Sequence, residues 1–214
     1  RAAAEAAGGR LLLTHLLLTR RILDLEPALW TLRFPAVLAG TAAVAAGYVL
    51  ARRTLSRRWA VLAVWLMAIS PLSLRWSQSV RMYAAFILFS TLSFYFTLRA
   101  ARDDKVASWL GLAASTLLNL YTHYFAVFPL IAESAFLIFL LGREAWRCSA
   151  GASASPGTRR LAGIVVHLWL RARRMFLAGA FVAAGYVPWF LSVARFNFVY
   201  RQETKEASRA AAGV

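Results

Sequence analysis

Between residues 106 and 141 one side chain, Glu133, carries a full charge. A helix rises about 1.5 Å per residue, so this stretch would reach roughly 54 Å as a single rod, well beyond the ~30 Å hydrocarbon core of a bilayer. It must therefore fold back on itself, and the polar and aromatic residues 121–124 mark the place. Four further apolar runs occupy residues 34–51, 59–74, 82–98 and 176–194. Pro71 should break the last turn of the second of these, and Pro188 should kink the last. Residues 11–25 are apolar but interrupted by Thr14, His15, Thr19, Arg20 and Arg21, which fits an amphipathic helix lying in the membrane interface. The expected fold class is all-α: a polytopic transmembrane bundle of about six membrane helices plus that N-terminal interfacial helix.

Composition supports this fold and removes a rival. The chain is 60% hydrophobic, yet holds 25 Lys and Arg against 9 Asp and Glu, a formal charge of +16. Such an excess on a compact soluble domain would point to nucleic acid. Here the cations fall in short clusters between apolar runs, as they do in the retained cytoplasmic loops of membrane proteins, so no nucleic-acid partner is expected. Arg52, Arg53, Arg57 and Arg58 separate the first two spans, and Arg99, Arg102 and Lys105 follow the third. Arg143, Arg147, Arg159, Arg160, Arg171, Arg173 and Arg174 precede the last. The opposite face, with residues 75–81 and 121–124, is poorer in charge and richer in aromatics. The segment CSAGASASPGT at 148–158 reads as a flexible linker, and RQETKEASRAAAGV at 201–214 as a polar tail. Cys148 stands alone, so no intrachain disulfide forms, and with three scattered histidines no metal site or cofactor is expected.

Two arginines break the charge bias. In SPLSLRWSQSVRMYAA, residues 70–85, Arg75, Gln78, Arg81 and Tyr83 lie at the charge-poor face. A guanidinium there is costly unless paired, and its planar fork matches the oxygens of a lipid-linked phosphate. The bland alternative is that Arg81 snorkels to headgroups and Tyr83 joins an aromatic belt. His123, between Tyr121 and Tyr124, is placed to bind a substrate at the bundle mouth or to serve as a satisfied interface histidine. Glu133, a carboxylate inside a span, is either functional or hydrogen-bonded to a neighbouring helix. His15 and His167 carry no signal.

The segment SPLSLRWSQSVRMYA resembles a stretch of the bacterial glycosyltransferase family 39 proteins of the GT-C superfamily, which include protein mannosyltransferases and the lipid A aminoarabinose transferase. LRFPAVLAG at 32–40 and LYTHYFAVF at 120–128 are similar to two further segments of that family, in the same order. The resemblance spans roughly residues 11–195 and makes residues 1–200 a single GT-C-like domain. It implies a membrane glycosyltransferase that moves a sugar from a polyprenyl-phosphate donor to an acceptor on the periplasmic or extracellular face of the inner (plasma) membrane. It also implies that Arg81, with Arg75, Gln78 and Tyr83, holds the donor phosphate, and that His123, Tyr121 and Tyr124 contact substrate.

Two departures bear on catalysis. Ser79 stands where the family has glutamate, and the family's first span with its acidic external loop has no counterpart after Arg1. The chain is expected to be N-terminally truncated and to lack its own catalytic base, since Asp24 and Glu26 fit a solvated turn closed by Pro27. The competing expectation is a non-catalytic transporter or anionic-lipid-binding membrane protein using the same arginines.

Overall fold

The computed structural model describes residues 29–79, 81–152 and 158–211. They form seven α-helices and one 3-10 turn: α1 (Leu29–Thr54), α2 (Arg57–Ile69), α3 (Pro71–Ser77), α4 (Tyr83–Asp103), α5 (Val106–Thr122), the turn Tyr124–Ala126, α6 (Val127–Ala152) and α7 (Thr158–Ala211). Among the described residues there is no strand. In lipid each backbone N–H and C=O must be satisfied within its own segment, and helices achieve this.

Four stretches are long and apolar enough to cross a membrane: Arg33–Thr54, Tyr83–Asp103, Tyr124–Arg147 and Leu168–Val193. The pair α2 and α3 makes a fifth if taken as one span bent by 58°. At 17 residues α5 is a short sixth apolar helix, and it is the most enclosed, burying Ser108, Trp109, Leu112, Ala113, Ser115, Thr116, Asn119, Leu120 and Thr122. The bundle is thus the all-α membrane fold expected from the sequence, with the 106–141 run divided at residue 123. The N-terminal interfacial helix expected over 11–25 lies outside the described residues.

Small residues bring the helices together, as is usual where lipid offers no hydrophobic drive between them. Helix α4 packs on α1 and α5, and α5 packs on α7. One core cluster joins Ala100, Trp109, Leu112 and Leu137, and another joins Ala113, Leu120, Ala126 and Val182. A Cβ on Gly111 would lie 2.4 Å from the Phe96 ring, so glycine there lets the ring rest on the α5 backbone.

Two expectations about the C-terminal third need correction. The segment 148–158 is not wholly a linker, because α6 runs on through Ala152 and α7 starts at Thr158. Serine and alanine tolerate a helix, and the first proline after Pro129 is Pro156. The polar tail is helical to Ala211: RQETKEASRAA lacks an apolar stripe but is rich in residues of good helix propensity. Arg171, Arg173 and Arg174 consequently sit within α7 and not in a loop.

The clustered charges meet at one end of the bundle. Arg171 is 5% exposed; it pairs with Glu144 at 2.6 Å and donates to the carbonyls of Ala100, at 3.4 Å, and Ala101, closing the C-terminus of α4. Asp104 follows in the left-handed region (φ 45°), a conformation that short polar side chains tolerate. Its carboxylate accepts from Arg174 at 2.8 Å and from the Trp109 indole at 2.8 Å. Arg53 of α1 donates to the Tyr95 hydroxyl at 3.2 Å.

Candidate functional site

The opposite end is aromatic, and its shape begins with Pro71. Proline cannot supply the N–H that would continue α2 and restricts the residue before it, so Ser70 is extended (φ −57°, ψ 126°) and Pro71 opens α3 at N1. The sequence placed this break in the last turn of one span; the structure makes it a 58° bend that starts a separate helix. Helix α3 rests on α1 where Gly40 faces Ser77, a Cβ there falling 2.6 Å from the serine Cβ.

The bend presents the polar residues of the 70–85 segment. Arg75 on α3, Gln78 at its C-cap and Arg81 in the following turn are all exposed. None of their side chains hydrogen-bonds or ion-pairs with another described residue. Beside them runs a column of rings. Trp76 stacks on Tyr83 with centroids 5.1 Å apart, Tyr83 packs on His123 at 5.5 Å, and Tyr124 stacks on His123 at 4.6 Å. Phe86 and Phe125 approach the imidazole at 5.5 and 4.8 Å.

His123 breaks the helix path between α5 and the 3-10 turn, with an extended backbone (φ −152°, ψ 139°). Its Nδ1 accepts the N–H of Phe125 at 3.1 Å, which leaves Nε2 to carry the proton of the neutral ring. Burial lowers its pKa, so this neutral donor form holds at physiological pH.

Tyr83 thus joins the two groups of residues singled out in the sequence, since it touches both Trp76 in the arginine segment and His123 in the aromatic turn. Tyr124 stays with them and is 56% exposed. Tyr121 does not. It points to α7, donating to the Gly185 carbonyl at 2.6 Å and meeting Tyr186 and Trp189 edge-on. Trp76, Phe86 and Phe125 were not singled out from the sequence, although Trp76 lies in the very segment that was. Glu133 is bonded to a neighbouring helix, with Ser93 of α4 at 2.6 Å. Asp24 and Glu26 lie outside the described residues.

Chemically, this end offers two exposed guanidinium groups without internal counter-charges beside a wall of aromatic rings. The first matches an anion and the second an apolar or sugar face.

Residues 16–170 match the sequence model of the dolichyl-phosphate-mannose-protein mannosyltransferase family. No curated protein and no solved structure matches the chain.

Proposed function

Because the chain belongs to the dolichyl-phosphate-mannose-protein mannosyltransferase family, a family of membrane glycosyltransferases, we propose that its aromatic end binds a polyprenyl-phosphate-linked sugar and transfers that sugar to an acceptor. The observation that supports this most is the pair of exposed, unpaired arginines, Arg75 and Arg81, beside the Trp76–Tyr83–His123–Tyr124 column. Arg81 is the principal phosphate ligand. Arg75 assists it, and Gln78 and Tyr83 add neutral hydrogen bonds. His123, donating from Nε2, and Tyr124 contact the sugar or the acceptor, while Tyr121 holds α5 to α7.

In the reaction an acceptor hydroxyl forms the new bond to the anomeric carbon as the bond from that carbon to the phosphate oxygen breaks. The lipid phosphate leaves with the electron pair, and the guanidinium groups stabilise the charge it gains. The acceptor proton passes to a base that the described residues do not assign.

The aromatic end faces away from the cytoplasm, by the retention of the basic end inside. In a Cys148→Ser background, an impermeant thiol reagent added to intact cells should label Tyr124→Cys. Labelling of Arg57→Cys instead would reverse the orientation.

Binding of undecaprenyl phosphate to the purified chain in detergent tests the site. Arg81→Ala should weaken it roughly tenfold, the worth of one charge-assisted hydrogen bond. Arg81→Lys, which keeps charge but loses the fork, should weaken it less, and Arg75→Ala least. Unchanged affinity in Arg81→Ala would leave headgroup snorkelling as the better account. A second reading, a non-catalytic binder of anionic lipid, is favoured by one observation: Asp103, Asp104 and Glu144 lie toward the basic end and Glu133 within α6, away from Arg75 and Arg81, and the acidic residues of α7 on the aromatic side are Glu203 and Glu206 of its C-terminal extension. Sugar turnover by the chain would exclude that reading.

A further inference from the structure

Glu133 forms part of the wall of two separate cavities. One, of about 360 Å³, is partly open and lies between α5, α6 and α7, with Trp109, Thr116, Met175, Gly179 and Tyr186 among its lining. The other, of about 380 Å³, lies between α1, α4 and α6, where Leu50, Phe94, Thr97 and Phe136 line it. Glu133 is the residue common to both, and no Lys, Arg or His lines either. The carboxyl group is 3% exposed as a residue, yet it has free volume on two sides. Each cavity wall also holds a buried threonine hydroxyl without a partner among the described residues, Thr116 in the first and Thr97 in the second.

The hydrogen bonds around Glu133 suit a neutral acid. The Ser93 hydroxyl has one proton and two acceptors in reach, Glu133 Oε1 at 2.6 Å and the Ser90 carbonyl at 2.9 Å. Both contacts are satisfied together when the carboxyl group is the donor and Ser93 gives its own proton to Ser90. Glu133 then rests as a neutral acid with no cation beside it, which avoids the cost of an isolated charge at this depth.

We infer that the cavity between α5, α6 and α7 is a second ligand site, selective for an apolar primary amine whose nitrogen pairs with Glu133. An uncharged amine enters the apolar space and takes the carboxyl proton. The product is an ammonium beside a carboxylate, with Ser93 turned to donate to Oε1, so no net charge is carried into the bundle. The Trp109 and Tyr186 rings in the lining suit the apolar body. An anionic ligand is disfavoured, because the lining holds no Lys, Arg or His to balance its charge. The site is therefore distinct in chemistry from the phosphate site proposed at the aromatic end.

Photo-labelling of the full chain in detergent tests this, with two probes that share one alkyl diazirine body and end in a primary amine or a carboxylate. The amine probe should label α5 and the stretch of α7 that lines the cavity roughly tenfold more than the carboxylate probe. Glu133→Gln keeps a hydrogen bond to Ser93 and should erase that preference. Gly179→Leu should block labelling without unfolding the chain, since a Cβ there meets nothing within 4 Å. That second variant decides the matter if the first does not fold. Arg81→Ala should leave amine labelling unchanged, which separates failure here from failure of the phosphate site. Equal labelling by both probes, as for lipid tails filling a greasy groove, or full labelling in Gly179→Leu, would overturn the inference.

Discussion

The two ends of the bundle handle arginine in opposite ways. At the basic end Arg171 and Arg174 are spent on the fold: their partners are Glu144, Asp104 and the carbonyls that close α4. At the aromatic end Arg75 and Arg81 stand exposed, with no partner among the described residues. The same side chain is structural where the protein supplies its counter-charge and, in the function proposed above, binds a ligand where it does not. Retention on one side of a membrane explains why the arginines cluster, but not this division of labour.

The sharpest way to break the contrast is to remove a structural arginine. Arg171→Ala leaves Glu144 unpaired and the end of α4 open, and should cost about 3 kcal/mol, at the low end for a broken buried pair because Glu144 is partly exposed. Thermal unfolding in detergent should show the loss, with undecaprenyl phosphate affinity unchanged in the protein that remains folded. A fall in affinity at full stability would mean that the basic end takes part in binding.

A smaller effect comes from the seat of α3. Gly40→Ala places a methyl group 2.6 Å from the Ser77 Cβ and should cost about 1–3 kcal/mol as overpacking, while also weakening phosphate binding by displacing Arg75. Gly142→Ala, where a Cβ meets nothing within 4 Å, is the matched control: it should gain about 1 kcal/mol from helix propensity and leave binding unchanged. If both variants bind alike, the position of α3 does not matter to the site.

Tyr121→Phe removes the hydroxyl that reaches Gly185 and should cost about 1 kcal/mol, read as a lower unfolding temperature without loss of binding. A selective loss of binding would return Tyr121 to the substrate contacts implied by the resemblance.

The smallest effect is a pH dependence. Burial lowers the His123 pKa in the folded protein. As pH falls through about 6.5, the unfolded chain takes up a proton that the folded one refuses, so stability declines with acidification below that point. His123→Gln should flatten this decline relative to the parent. An equal slope in both would show that the imidazole is protonated as readily in the fold as out of it.

How much of this was legible in the sequence depends on whether a single residue type carried the signal. That the 106–141 stretch must break followed from its length, because a 36-residue apolar run does not fit one crossing, and the polar and aromatic residues 121–124 marked the place. The 58° bend was half visible: Pro71 announced a break, but its angle is set by where α3 finds a seat on α1. The helical course of residues 148–152 and 201–211 was missed because apolar periodicity is silent where a helix leaves the core. At the site, Arg81 and His123 could be named from the chain, whereas Tyr83 as the link between them depends on α4 and the aromatic turn meeting in space. The two cavities beside Glu133 left no trace in the sequence, since they are made of the gaps between ordinary apolar side chains.

The near-contact of Gly40 with Ser77 has a mechanical consequence. Proline keeps Ser70 extended, so the bend does not straighten, but by itself it leaves the heading of the arm beyond it unset. The contact of Ser77 with the bare backbone of α1 at Gly40 sets that heading, so the direction in which α3 runs is written partly into α1, more than thirty residues earlier in the chain.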